Sequence, residues 1–161
     1  MPIRPFHPSD AGAIRRILEE TGVFRSEELE VAQELMDIVT EQPDQQDYVM
    51  STYVDEAGVV RGYYCVGPTP ATEGTYDLYW IATDPHVHGK GIGTELIQHC
   101  ENLVRGREGR LIVVETSSKP PYKKTRLFYE RKGYREEARI RDYYARGDDL
   151  VLLTKQLRED R

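Results

Sequence analysis

Three glycines alternate with other residues between His88 and Thr94, where the sequence reads H-G-K-G-I-G-T. Because Gly89, Gly91 and Gly93 carry no side chain, the main chain here can approach a ligand closely. An apolar run precedes the glycines and apolar residues at helical spacing follow them, which predicts a strand, a tight loop and a helix. The first amides of such a helix have no partner within it and lie at its positive end. The loop is therefore predicted to bind an anion such as a diphosphate, although a simple strand-to-helix turn could also use a glycine.

The spacing of the glycines disfavours two common phosphate loops. A nucleoside-triphosphate loop places a lysine after its last glycine, whereas Lys90 lies between two glycines. The dinucleotide fingerprint places its third glycine one residue later and an acidic residue about twenty positions further on, within a β-α-β unit near the start of a domain. This loop lies in the middle of the chain. Nucleotide binding is therefore a weak hypothesis.

The loop resembles that of the Gcn5-related N-acetyltransferase (GNAT) family, which reads Arg/Gln-x-x-Gly-x-Gly/Ala. It follows a strand ending in I-A-T-D-P, as the family also shows. The resemblance implies that the loop amides bind the diphosphate of acetyl-CoA, and that the strand end pairs with the pantetheine arm. His88 departs from the family, which usually has Arg or Gln there. The cofactor-binding residues implied are Ile81, Ala82, Thr83, His88, Gly89, Lys90, Gly91, Ile92, Gly93 and Thr94.

Acyl transfer from a thioester to an amine requires a base, because alkyl amines titrate at about 10. Glu115 directly follows the apolar run Leu111–Val114, which is suited to a strand buried on both faces. Desolvation at such a position raises the pKa of a carboxyl group and makes it a better proton acceptor. Glu115 is therefore the candidate base. The alternative is a structural carboxylate bonded to loop amides or to an arginine.

The leaving thiolate requires a proton, and a tyrosine with a pKa of about 10 is a suitable neutral donor. The segment from Thr125 to Tyr134 resembles the family pattern Asn-x-x-Ala-x-x-x-Tyr-x-x-x-Gly-Phe from the alanine position onward. The resemblance implies that Tyr129 is the catalytic acid. Tyr122 stands where the family often has Asn. Packing of the Tyr129 ring with its hydroxyl at the surface is the alternative.

The order of motifs in residues 75–157 is nearest to the branch of the family that acetylates protein amino termini. In that branch a strand glutamate and a helix tyrosine precede a Tyr-Tyr pair, here Tyr143-Tyr144, and a glycine turn. The resemblance implies that Tyr143 lines the acceptor channel, although a tyrosine pair on a strand often serves packing. Asp77 is a charge in an otherwise apolar strand. It is a second candidate for substrate contact, or a residue on the solvent side of a hairpin.

Composition limits the possible classes of protein. The 161 residues fit one domain over positions 1–161 with a real core. The net charge of −6 and isoelectric point of about 5.3 do not favour nucleic-acid binding. Residues 119–146 carry +6 and the remainder −12, which suits an anionic cofactor and a cationic amine or simply a solvated helix face. We expect no membrane segment and no signal peptide, because no apolar run is long enough.

The remaining ligand-type residues predict little chemistry. Cys65 and Cys100 are expected to be buried thiols in a reducing cytoplasm. His86 and His88 could bind a metal, but no Cys, Asp or Glu at ligand spacing supports this, and no metal is expected. We therefore expect a cytoplasmic protein without a metal cofactor.

These patterns, with the family resemblance, predict an α/β (α+β) domain with a mixed, mostly antiparallel sheet of six or seven strands and about four helices. The predicted function is transfer of an acetyl group from acetyl-CoA to a primary amine by direct attack in a ternary complex. The acceptor is a peptide or protein amine or a small-molecule amine, and a homodimer is possible. The alternative is a non-catalytic acyl-CoA-binding regulatory module on the same fold.

Overall fold

The computed structural model describes residues 2–87 and 89–158. The described residues form seven strands and four α-helices, with short 3₁₀ turns at Pro8–Asp10 and Pro120–Tyr122. In chain order the elements are β1 (Ile3–Pro5), α1 (Ala11–Thr21), α2 (Ser26–Glu41), β2 (Val49–Val54), β3 (Val60–Pro68), β4 (Thr75–Thr83), α3 (Ile92–Gly106), β5 (Leu111–Ser117), α4 (Lys123–Arg131), β6 (Arg135–Ala145) and β7 (Asp148–Gln156).

The strands form one sheet in the order β1-β2-β3-β4-β5-β7-β6. β4 and β5 are parallel, and α3 forms the crossover that a parallel pair requires. The pairs β1–β2, β2–β3, β5–β7 and β6–β7 are antiparallel. The predicted fold class, with its mixed, mostly antiparallel sheet of six or seven strands and about four helices, is confirmed.

The chain divides into two compact units, and β4 contributes to both. The first unit comprises Met1–Gly67 and Tyr79–Asn102, and the second comprises Pro68–Leu78 and Leu103–Arg161. The single domain expected over residues 1–161 stays a prediction. No helix among the described residues is both long and apolar enough to cross a bilayer.

The core of the first unit lies between the α1–α2 helix pair and one face of its strands. The apolar positions of α1 recur at helical spacing, which places them on the face that is buried. Gly22 ends α1 in the left-handed region, with φ 73°, as the Thr21-Gly22 pair predicts. The fully buried side chains of this core include Ile14, Ile17, Leu18, Ala32, Met36, Tyr63 and Cys65.

In the second unit β5 lies between β4 and β7 and alternates in exposure. Ile112 and Val114 are buried, Val113 is half-buried and Glu115 is exposed. The expectation that β5 is buried on both faces is therefore wrong. From Leu111 to Glu115 the buried side chains lie on the face of Ile112 and Val114, because successive side chains of a strand point to opposite sides. At the end of the strand Thr116 and Ser117 are both buried.

Candidate functional site

The glycine loop before α3 has the open main chain that an anion site requires. Gly89 and Gly91 have φ values of 70° and 73°, a region that residues with a side chain rarely adopt. A Cβ atom placed on either glycine would meet no protein atom within 4 Å. The protein therefore leaves the space above this main chain open. Lys90 is exposed between the two glycines, and His88 lies outside the described residues.

The first turn of α3 supplies amides next to these glycines. The amide of Glu95 donates to the carbonyl of Gly91 at 3.0 Å. The amides of Ile92, Gly93 and Thr94 therefore lie in the turn where an α-helix has no acceptors of its own. The Ile92 side chain is buried, which anchors the helix start. An anion at this point would meet amide donors and the positive end of the helix.

Asp84, which the sequence prediction did not select, holds the chain as it leaves β4. Its carboxylate accepts hydrogen bonds from the His86 amide at 2.9 Å and from the Arg61 guanidinium at 3.0 Å. Desolvation opposes ionisation of the buried Asp84, but these two donors hold its pKa below the ordinary value. The Asp-Pro pair at the strand end was a signal for this side-chain-bonded turn. Arg61, 23 positions earlier, gave no such signal.

The end of β4 carries the three residues expected beside the pantetheine arm. Ala82 is buried and packs in the core of the first unit. Ile81 and Thr83 are half-buried, and strand alternation points them to the face opposite to Ala82. The main-chain groups of Ile81 and Thr83 directly precede the turn in which the Asp84 carboxylate binds the His86 amide.

Glu115, the predicted base, projects from the open face of β5. Partial loss of hydration and the negative charge of Asp77 raise the pKa of this carboxyl group. A carboxylate with a raised pKa is a stronger proton acceptor than an ordinary one. The environment of Glu115 therefore suits the proposed role without complete burial.

Asp77 lies on the same face as Glu115. β4 and β5 pair so that Asp77 is beside Val113, and Val113 and Glu115 point to the same side because they are two residues apart. The Asp77 carboxylate is half-buried and accepts a hydrogen bond from the Thr69 hydroxyl at 2.7 Å. The structure thus brings together the predicted base and one predicted substrate contact.

Tyr129, the predicted acid, is buried near the end of α4. Its ring makes edge contacts with Phe128 at 5.5 Å and with Tyr134 at 5.3 Å between centroids. Gly133, with φ 92°, reverses the chain so that the Tyr134 amide donates to the Tyr129 carbonyl at 3.0 Å. Tyr129 is only 3% exposed, so its ring is packed as the alternative also assumed, and the role of its hydroxyl as an acid stays a prediction.

The end of α4 and Glu115 lie on opposite faces of the β5–β7 ladder. Lys155 pairs with Ile112, which is three positions from Glu115 and so points to the other face. The Lys155 ammonium lies 5.6 Å from the centroid of the Tyr134 ring, and that ring contacts Tyr129. A proton acceptor and a candidate proton donor thus belong to opposite sides of these strands.

Tyr143, the second predicted substrate contact, lies on the exposed strand β6. It is 53% exposed, and its described ring contact is with Tyr144, at 5.0 Å. The ladder with β7 is irregular between Ile140 and Ala145. The described contacts of Tyr143 therefore do not join it to Glu115 or Asp77.

Three ligand-type side chains meet near the glycine loop, which the sequence analysis did not anticipate. Ligand atoms of Glu20, Asp84 and His86 lie within 4.8 Å of one another. However, the Arg61 guanidinium occupies one oxygen of Asp84, and Glu20 lies 3.0 Å from the ring nitrogen of His86. Ion pairing accounts for this cluster.

The chain matches a known family over more than half of its length. The sequence model of the acetyltransferase (GNAT) domain matches residues 46–136. A relative from Bacillus subtilis, S-(2-succino)cysteine N-acetyltransferase, is 31% identical over 94 residues, which cover 58% of this chain and 56% of the relative. The match thus spans only about half of that relative.

Two solved structures show the same fold. A GNAT-family protein from Desulfovibrio desulfuricans is 41% identical, with a TM-score of 0.92 over 97% of this chain and 98% of that chain. A protein from Salmonella typhimurium, determined with its cofactor acetyl-CoA, is 19% identical, with a TM-score of 0.74 over 99% of this chain and 95% of that chain. The protein belongs to the GNAT acetyltransferase family.

Proposed function

We propose that the protein transfers the acetyl group of acetyl-CoA to a primary amine by direct attack in a ternary complex. The observation that carries this proposal is the glycine loop, in which Gly89 and Gly91 adopt positive φ values directly before the amides that open α3. Such a main-chain cradle suits the diphosphate of the cofactor. Membership of the GNAT family supports the same assignment.

Each group of the cofactor has a proposed partner in the first unit. The main chain of Gly89, Gly91 and the first turn of α3, together with Lys90, would bind the diphosphate. The main chain of Ile81–Thr83 would hydrogen-bond the pantetheine arm, as the family resemblance implies. His88, where the family usually has Arg or Gln, would make the cofactor contact pH-dependent if its side chain takes part.

The proposed reaction needs two proton transfers. As the amine nitrogen attacks the thioester carbonyl carbon, Glu115 accepts a proton from the nitrogen and the C–N bond forms. The C–S bond then breaks, and the departing thiolate takes a proton from the Tyr129 hydroxyl. Both groups must come within hydrogen-bond reach of the same thioester when the cofactor is bound, although Glu115 and the helix that carries Tyr129 belong to opposite faces of the β5–β7 ladder.

The proposed acceptor is a primary amine of a peptide, a protein or a small molecule. Asp77 would attract the ammonium form of the amine, and Tyr143 would line the acceptor channel. The motif order favours a peptide amine. The relative from Bacillus subtilis is named for a small-molecule amine, which keeps that class in the proposal.

Two further features of the expected function remain proposals. A cytoplasmic location is supported by the two free cysteines, Cys65 and Cys100, because proteins of reducing compartments rarely form disulfides. Homodimer formation is supported by β6, an edge strand whose eleven residues are all exposed. Edge strands of this length often pair with another chain.

Calorimetric titration with acetyl-CoA, run beside a thiol-release assay against peptides and small amines, tests the proposal. We expect binding together with thiol release for one class of amine. Glu115→Gln should keep the affinity for acetyl-CoA and reduce turnover by roughly 10²- to 10⁴-fold, the usual contribution of a general base. Binding without release, with no acceptor found, would favour the regulatory module. Absence of binding would contradict the proposal.

A further inference from the structure

Three polar groups of the second unit form a line on the open face of β4 and β5. The Thr69 hydroxyl donates to the Asp77 carboxylate at 2.7 Å, and Asp77 lies across from Val113, whose side chain shares a face with Glu115. The loop that carries Thr69 is itself fixed, because the Thr69 amide donates to the Thr75 carbonyl at 2.8 Å. The Asp77 carboxylate is therefore held in one place next to the strand of Glu115.

The hydrogen-bond partner of Asp77 in the described part of the chain is the Thr69 hydroxyl, which does not compensate the negative charge of the carboxylate. A hydroxyl group is neutral, so the bond from Thr69 orients the carboxylate without cancelling its charge. Asp77 acts on Glu115 through this charge, and the interaction adds to desolvation in raising the pKa of Glu115.

The other strands next to Glu115 do not supply an opposing charge on this face. From β7, Leu152 pairs with Glu115 and Thr154 pairs with Val113. From β6, Arg135 and Glu137 form an ion pair at 3.5 Å, and Glu137 also accepts a hydrogen bond from Thr154 at 2.9 Å. These two β6 charges largely cancel each other.

The Lys155 side chain points to the opposite face and binds the end of α4. On β7, Asp148 accepts a hydrogen bond from the Ser117 hydroxyl, and Ser117 shares a face with Glu115 because the two are two residues apart. Asp148 is thus a second carboxylate at the end of β5, but Asp77 is the charge that raises the pKa of Glu115.

We propose that Asp77 is a positioning residue, which holds a second negative charge beside Glu115 and so sets the pH range in which Glu115 accepts a proton. The proposal rests on the proposed role of Glu115 as base. Thr69 takes part by fixing the orientation of Asp77. This role is additional to any attraction of Asp77 for the acceptor amine, and the two roles have different consequences. Attraction alone would lower KM. The effect of the Asp77 charge on Glu115 would instead shift the pH dependence of kcat/KM.

Carbon-13 NMR titration of the side-chain carboxyl groups tests the proposal without an acceptor. The Glu115 resonance is assigned by its loss in Glu115→Gln, and its titration midpoint is then measured in the wild type, Asp77→Asn and Thr69→Val. We expect the midpoint in Asp77→Asn to fall by roughly 0.5 to 1 pH unit, because removal of a nearby like charge favours ionisation. Thr69→Val should give a smaller fall. Glu73→Gln, which removes an exposed carboxylate from the same segment, should leave the midpoint unchanged.

The kinetic pH profile supplies the second readout. With an acceptor from the thiol-release panel, the acidic limb of kcat/KM should move to lower pH in Asp77→Asn by the same amount. An unchanged Glu115 midpoint in Asp77→Asn would overturn this inference while leaving the proposed function intact, provided that Glu115→Gln still reduces turnover by roughly 10²-fold or more. Full turnover by Glu115→Gln would instead overturn the assignment of the base, and the role of Asp77 with it.

Discussion

The two units carry functional groups of different kinds. In the first unit, the glycine loop offers main-chain amides. These amides are accessible because Gly89 and Gly91 have no side chains and adopt positive φ values. In the second unit, the candidate groups are the side chains of Glu115, Asp77 and Tyr129, whose properties depend on burial and neighbouring charge. The first unit is therefore suited to hold a ligand, and the second is suited to move protons.

This difference predicts different responses to substitution. A main-chain site tolerates a change of side chain unless the change alters backbone conformation or fills the open space. An acid–base site fails when a single oxygen atom is removed, even though the fold is unchanged. Substitutions in the two units should therefore separate cofactor affinity from turnover.

After Glu115→Gln, the largest effect on turnover is expected from Tyr129→Phe in the second unit. The ring contacts with Phe128 and Tyr134 remain, so the fold should persist, but the leaving thiolate loses its proton donor. We expect kcat to fall by roughly 10²-fold with little change in the affinity for acetyl-CoA. Steady-state kinetics and calorimetry measure the two quantities. Tyr134→Phe removes a hydroxyl from the adjacent buried ring and should nearly preserve kcat. Equal losses in the two variants would contradict a specific role for Tyr129.

A smaller effect, on affinity instead of turnover, is expected from Gly91→Ala in the first unit. Gly22 provides a matched control, because both glycines have a φ of 73° and neither would bring a Cβ within 4 Å of another atom. Each variant should lose about 1 kcal/mol of stability from the left-handed backbone. Gly91→Ala alone should weaken acetyl-CoA binding, by roughly tenfold or about 1.4 kcal/mol. Similar affinities in the two variants would show that the loop does not bind the cofactor.

The sequence predicts the local geometry of the first unit's glycine loop better than the surroundings of the second unit's candidate side chains. Alternating glycines between a strand and a helix identify the loop because the relevant property is local: Gly89 and Gly91 sit where the backbone adopts φ values that other residues avoid. The fold class follows from the order of the elements together with the family resemblance that this motif carries. The position of Gly22 at the end of α1 was predicted for the same local reason.

The surroundings of Glu115 could not be predicted from local sequence patterns. The apolar run before it suggested burial on both faces, but Ile112 and Val114 are its buried residues, whereas Leu111 and Val113 are half-buried and Glu115 is exposed. The register that sets Asp77 beside Val113 depends on a parallel pairing between strands 36 positions apart. The same limit applies to the Arg61–Asp84 ion pair, which joins the β2–β3 hairpin to the end of β4. Contacts of this kind are fixed by tertiary packing and leave no periodic pattern.

The smallest predicted effect concerns the Arg61–Asp84 ion pair, which fixes the chain just before the glycine loop. The folded-state pKa of Asp84 is below its ordinary value. Its ionised form therefore stabilises the fold above the unfolded pKa of about 4, and the stabilisation is lost as the pH falls through the folded value. Asp84→Asn keeps an acceptor for the His86 amide but loses the charge facing Arg61. We expect it to cost about 1 kcal/mol at pH 7.

Urea unfolding at pH 7 and at successively lower pH values measures the difference between Asp84→Asn and the wild type. The difference should shrink as the pH is lowered, because Asp84 itself becomes protonated. Asp44→Asn, in an exposed turn, should show no such pH dependence. If the destabilisation by Asp84→Asn is the same at every pH, the Asp84 side chain acts on the loop through shape and hydrogen bonding alone. The conformation of the glycine loop in the first unit would then not depend on side-chain charge, in contrast to the candidate acid–base groups of the second unit.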